Sequence, residues 1–169
     1  MECTLAGFYN QIDDLITLVP LVGYRNLRGA EAKGVEAELG TFWSSGWRGR
    51  MSYTLQETRD RTTGERLTDS PEQMLKFNVR APLYPEKIFA SLEFQYTTQR
   101  TTWLGTDAGG FGVVNFTLLG VKLVKGLDAS VSLYNILDRK YGDPATPSHL
   151  QDVIERDGRD FRVKLTYRF

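Results

Sequence analysis

The chain has 169 residues, enough for one domain, and its 21 basic residues balance 21 acidic ones, so no overall field recruits nucleic acid or an acidic surface. Apolar residues make up 41% of the chain, and no stretch approaches the ~18 consecutive apolar residues of a membrane helix. That test is blind to membrane strands, where apolar and polar residues alternate. The single cysteine, Cys3, excludes an internal disulfide and a multi-cysteine metal site.

In chain order, Thr4 to Ile16 has a strand composition of mixed phase, and Leu15 to Val22 is the most apolar run. Val35, Ala37 and Leu39 then alternate with Glu36 and Glu38, and Trp47, Met51, Tyr53 and Leu55 alternate with Arg48, Arg50, Ser52 and Thr54. Leu75, Phe77, Val79 and Ala81 alternate with Lys76, Asn78 and Arg80, and Ile88, Ala90, Leu92, Phe94 and Tyr96 with Phe89, Ser91, Glu93 and Gln95. Phe111 to Val124 changes phase near Leu118-Leu119-Gly120, which predicts a bulge there. Leu127 to Tyr134 and Phe161 to Phe169 alternate cleanly. The period is two throughout, so the expected fold is all-β: an antiparallel up-and-down sheet of about eight strands.

The connections at Phe42–Gly46, Ala81–Glu86 and Lys125-Gly126 are short, while those near Val19–Arg28, Thr58–Pro71, Thr101–Gly110 and Ile136–Gly158 are longer and polar. Short and long connections alternate, which puts the long loops at one end of the sheet, the asymmetry of a transmembrane barrel. A polar face carrying Arg48, Arg50, Lys76, Arg80, Glu93, Arg162, Lys164 and Arg168 suits a wet lumen. Aromatics near strand ends, among them Trp43, Trp47, Tyr84 and Tyr96, suit a headgroup interface. A soluble antiparallel sheet with one apolar face would give the same alternation.

The segment Asn135-Ile136-Leu137-Asp138 with Tyr141 and Pro144, then Gly158-Arg159 and the closing Phe169, resembles the ending of TonB-dependent outer-membrane receptors. Gly34-Val35-Glu36 and Thr63-Gly64-Glu65-Arg66-Leu67 with Ser70-Pro71 are similar to the same family. The resemblance implies a bacterial outer-membrane barrel for uptake of an iron–siderophore or similar metal chelate, without enzymatic activity or a resident cofactor. It further implies that residues 1–169 are the carboxy-terminal part of the barrel, with signal peptide, plug and earlier strands outside this sequence and TonB reached only through them. The expected partners are outer-membrane lipid and the outer-membrane assembly machinery. That machinery reads a terminal signal, here Phe161, Val163, Leu165, Tyr167 and Phe169. The alternative is a small stand-alone eight-stranded barrel or a soluble ligand-binding sheet.

In such receptors ligand is captured by outer loops and nearby lumen residues, which makes Arg100, Trp103, Tyr141 and His149 ligand-contact candidates by position. Ser148, His149 and Asp152 invite a triad reading, but they share one loop and no oxyanion-hole motif accompanies them. The acidic run from Asp138 to Asp160 lacks the spacing of a calcium loop. Gly105 to Gly110 precedes a strand rather than a helix, so it is expected to be a flexible loop and no phosphate cradle.

Overall fold

The computed structural model describes residues 1–19, 22–84 and 87–169, and of 17–19 and 25–28 it describes the backbone alone. The strands are β1 (Glu2–Val19), β2 (Gly23–Phe42), β3 (Arg48–Asp60), β4 (Gln73–Tyr84), β5 (Ile88–Thr97), β6 (Arg100–Thr101), β7 (Asp107–Ala108), β8 (Phe111–Val124), β9 (Leu127–Tyr134), β10 (Gly142–Pro144), β11 (Val153–Glu155) and β12 (Asp160–Tyr167). Eight of them form one antiparallel sheet in the order β1-β2-β3-β4-β5-β8-β9-β12, so every long strand pairs with its sequence neighbour. The four short strands make two small ladders, β6 with β7 and β10 with β11, inside the long connections.

Registers carry the alternation across the whole sheet. Cys3, Leu39, Met51, Phe77, Phe94 and Val114 lie in one row, and Val79, Leu92, Phe116, Leu133 and Phe161 in a second, both on one face. The opposite face is polar: Thr4, Glu38, Ser52, Lys76 and Gln95 share a row, as do Arg80, Ser91, Thr117, Ser132 and Arg162.

Among the described residues, no second layer covers either face. The only buried hydrophobic side chains among them are Ala30, Ala108, Val113 and Ala145, while Leu5, Phe161 and Leu165 are each at least two-thirds exposed to the surroundings of the chain. A water-soluble domain of this size buries most of its apolar surface. An apolar face this broad, with nothing packed on it, requires lipid. Its height agrees: the outward residues of β5 run from Ile88 to Tyr96, and about nine residues at ~3.4 Å each, tilted ~40°, give roughly the 25 Å of a membrane band.

Above that band the outward face turns polar. Lys33 and Glu57 pair at 2.8 Å, and the Tyr53 hydroxyl donates to Gln73 Oε1 at 3.0 Å. The polar face is likewise paired, with Arg50 Nη2 donating to Glu38 Oε2 at 2.8 Å and Arg80 stacked 3.8 Å above the Phe89 ring. Gly34, on this face, is required by close approach: a Cβ there would lie 2.4 Å from the Leu55 carbonyl oxygen and 2.8 Å from Phe8, whose ring covers the gap.

Three expectations change. The connection Val19–Arg28 is not a long loop: β1 and β2 stay paired from Glu2↔Gly40 to Val19↔Gly23. They continue the sheet far past the ~9–11 residues that cross a bilayer. Their mixed phase comes from a register shift between Ile12 and Leu15, with Asp14 at φ 54°. Pro20 and Leu21 of that connection, and Pro85 and Glu86 of the expected turn Ala81–Glu86, lie outside the described residues. The irregularity of β8, expected near Leu118–Gly120, falls just beyond it, between Gly120 and Val124. There Lys122, at φ 48°, donates its N–H to Asp128 Oδ1 at 2.8 Å, so a side-chain anchor rather than the apolar pattern sets its position. Finally, Arg100 and Thr101 pair with Ala108 and Asp107, so a short ladder runs into the segment Gly105–Gly110, expected to be a flexible loop.

Among the described residues, β1 and β12 are the two edges of the sheet and do not pair with each other. The eight strands form an open sheet, not a closed small barrel.

Candidate functional site

Three loops emerge at the end opposite the short turns: β3–β4 (residues 61–72), β5–β8 (98–110) and β9–β12 (135–159). The last is pinned at its base by the residues that carry the family resemblance. Asn135, 3% exposed and at φ 47°, receives the Arg139 N–H at 2.8 Å and donates from Nδ2 to the Arg139 carbonyl at 2.9 Å, while its own N–H reaches Asn115 Oδ1 at 2.9 Å. Asp138 Oδ1 receives the Arg159 N–H at 2.8 Å, which holds its carboxyl below the ordinary range. A Cβ at Gly158 would stand 2.7 Å from that same oxygen. Asparagine, aspartate and Gly-Arg therefore close the loop on itself.

Arg100, on β6, joins the three loops. It is 9% exposed; Nη1 donates to Asp69 Oδ1 at 3.0 Å, and Nη2 to Asp143 Oδ1 at 2.8 Å and to the Gly142 carbonyl at 3.0 Å. Its guanidinium carbon lies 5.8 Å from the Phe111 ring centroid, and Phe111 stacks on Tyr141 with centroids 4.2 Å apart. Asp143 also pairs with Arg156. Burial alone would push the Asp143 carboxyl up, but the hydrogen bonds from Arg100 and Arg156 outweigh it and hold the group below the usual carboxylate range.

A second clamp lies farther out. Thr102 is completely buried and donates to Asp152 Oδ2 at 2.7 Å; Thr106 bonds the same oxygen, and the Leu104 N–H approaches Asp152 Oδ1 at 3.4 Å. The Thr106 and Thr102 hydroxyls keep the Asp152 carboxyl low. Main-chain and ionic links continue the series: the Asp69 N–H donates to the Thr101 carbonyl at 2.9 Å, the Arg61 N–H to the Gly29 carbonyl at 2.9 Å, and Arg61 pairs with Asp13 on the β1–β2 hairpin.

The four candidate side chains fall into two groups. Trp103 and His149 line one pocket of about 210 Å³ between the β5–β8 and β9–β12 loops, with Leu104, Pro147 and Leu150. Tyr141 faces a trough of about 400 Å³ on the polar side, together with Glu93, Asn115, Tyr134, Arg156 and Arg162. Arg100 lies behind Tyr141, engaged by the loops and lining neither space. A wider concavity, about 750 Å³, is at the short-turn end beside the unpaired edge of β1 and is bordered by Glu38, Arg48 and Arg50. It is part of the open polar face, remote from the loops. No catalytic relay forms: His149 Nδ1 is 2.9 Å from the Thr146 hydroxyl, and Asp152 is taken up by Thr102 and Thr106. Sequence reasoning missed Asp69, Thr102, Asp143 and Asp152 as loop-joining residues. Their partners lie tens of residues away, so no local pattern marks them.

A lipid-facing apolar band, a wet polar face and long outer loops opposite tight turns define an outer-membrane β-barrel. Residues 3–136 match the family model "TonB dependent receptor-like, beta-barrel", and the chain belongs to this family of bacterial outer-membrane receptors, which are not enzymes.

Among solved structures, the ferric yersiniabactin uptake receptor FyuA from Yersinia pestis aligns over 99% of this chain and 27% of its own, with TM-score 0.83 at 17% identity. The copper transporter OprC aligns over 99% and 28%, with TM-score 0.80 at 14% identity. The ferric-catecholate import receptor Fiu from E. coli aligns over 99% and 25%, with TM-score 0.77 at 18% identity. The chain thus spans about a quarter of the length of the receptors it matches. No curated protein matches its sequence.

Proposed function

We propose that residues 1–169 are the carboxy-terminal part of a receptor barrel for energy-coupled uptake of an iron–siderophore or similar metal chelate. The observation that carries this reading is an uncovered polar face that ends beneath joined outer loops, with Trp103 and His149 at a pocket between two of those loops and Tyr141 over the polar trough. The unpaired edges of β1 and β12 support it as well, because open strand edges are costly in lipid and call for further strands. Fiu, FyuA and OprC are a ferric-catecholate receptor, a ferric yersiniabactin receptor and a copper transporter; metal is their shared theme, hence a metal chelate here. Coupling to TonB belongs to the parts of the receptor outside these residues.

The test offers radioactive iron, with a panel of siderophores, to cells whose only receptor is the full-length protein, with and without a protonophore. One chelate should be taken up in an energy-dependent way, and Trp103→Ala or His149→Ala should weaken its binding. Absence of binding across iron and copper chelates would overturn the reading.

The alternating stripe Phe161, Val163, Leu165, Tyr167 and Phe169 is proposed as the signal read by the assembly machinery through strand addition. Its support is that β12 is an edge strand with Phe169 fully exposed. Deleting Phe169 should lower the amount inserted and leave chelate affinity near normal in inserted molecules. Unchanged insertion would sink the signal role.

A further inference from the structure

We propose that Arg100 is a positioning residue that makes the three outer loops one cooperative body, so that a change in one acidic partner is felt in a loop that does not touch it. This goes beyond the uptake reading and does not depend on which chelate is bound.

The argument rests on where the guanidinium sits and what it holds. Asp69 belongs to the β3–β4 loop and Asp143 to the β9–β12 loop, and each binds a different nitrogen of a side chain from the β5–β8 loop. The Gly142 carbonyl takes a further bond from Nη2. Arg100 is nine-tenths buried, with Nε unpartnered among the described residues. A buried cation that loses one carboxylate cannot turn to water and must redistribute its remaining bonds. The planar fork links the directions of those bonds, because Nη1 and Nη2 cannot move independently. The flanking Phe111–Tyr141 stack passes any tilt of the guanidinium to Tyr141 over the trough. Main-chain bonds such as Asp69 N–H to the Thr101 carbonyl also cross between loops, so the test must separate the guanidinium from the backbone.

Amide hydrogen exchange on the full-length receptor in detergent does this, without ligand. Asp143→Asn should speed exchange of the Asp69 amide in the β3–β4 loop. Asp69→Asn should speed exchange of the Ala145 and Arg156 amides in the β9–β12 loop. Each remote effect should be on the order of tenfold, the size expected when a hydrogen bond loses its charge assistance. In an Arg100→Lys background, which keeps the charge and loses the fork, both remote effects should shrink several-fold, while the local effect of each substitution remains. Two results overturn the proposal. One is exchange that changes only in the substituted loop; the other is remote effects that survive in full in the lysine background, which would assign the coupling to the backbone. Asp69 and Asp143 lie in loops outside the membrane band, so these variants leave the strands to fold as before.

Discussion

The membrane-spanning part of the sheet and its outer loops are held by opposite means. In the band, one rule dominates: outward residues are apolar because lipid offers no partner, and inward ones are mostly polar because the lumen is wet, with Phe89 beneath Arg80 among the exceptions. Main-chain ladders tie every strand to its neighbour, and the side chains need only be of the right class. In the loops, by contrast, a few individual groups carry the order: Arg100 with Asp69 and Asp143, Thr102 and Thr106 with Asp152, and Asp138 with Arg159. A class substitution harms the first region, whereas removal of one atom harms the second.

The largest effect should come from breaking the band at mid-height. Leu92 lies midway along the outward residues of β5, between Val79 and Phe116. Leu92→Arg should cost about 2–4 kcal/mol in refolding of the full receptor into vesicles. Lys76→Gln, on the other face of the same region, should change stability by no more than about 0.5 kcal/mol. Equal costs would mean that the two faces do not meet different media.

Next come the two sites where a single atom matters. Gly34→Val should destabilise by about 1–3 kcal/mol through overpacking, since the Leu55 carbonyl cannot move out of the way without disturbing the β2–β3 ladder. Denaturation midpoints of the full receptor would show this. Thr102→Val keeps shape but removes the hydroxyl that donates to Asp152. It should loosen the loops locally by about 1–3 kcal/mol, seen as faster protease cleavage within residues 146–152, and leave the denaturation midpoint of the barrel in place.

The smallest effect concerns pH. The Asp143 and Asp152 carboxyls are both held below their ordinary range. A depressed carboxylate contributes stability that is fully present above its unfolded pKa and is lost as pH falls through the folded value. Exchange of the Leu104 and Ala145 amides, corrected for intrinsic rates, should therefore show no loss of loop protection as pH falls from 8 to about 5. Loosening should begin only below about 4. Loosening centred near neutrality would place the clamp on other groups.

These contrasts also explain what could be read from the sequence. Six of the eight strands and their faces followed from period-two alternation, because lipid and lumen enforce it residue by residue, and the up-and-down order followed from the alternation of short and long connections. The outer part of the β1–β2 hairpin reads as a loop because Val19–Arg28 is long and polar and holds Pro20 and Gly23. Beyond the membrane the apolar alternation is no longer required, and the ladder continues regardless. Trp103, Tyr141 and His149 were legible as loop residues by position. Arg100 was legible in the same way, but its partners were not: Asp69 is 31 residues before it and Asp143 is 43 after it. Only the fold brings them together, and sequence spacing holds no record of that.

The most direct measurement of the central claim is cysteine scanning along β5. In a Cys3→Ser background, single cysteines from Ile88 to Thr97 would be placed in the full receptor in outer-membrane vesicles. Each would be treated with a membrane-impermeant thiol reagent and, separately, carry a fluorophore quenched by brominated lipid. Cysteines at Ser91, Glu93 and Gln95 should react with the reagent and escape quenching. Those at Ala90, Leu92 and Phe94 should be quenched by lipid and stay unreactive. Reactivity without a period of two, or quenching on the face of Glu93, would contradict the assignment of lipid and lumen on which the account rests.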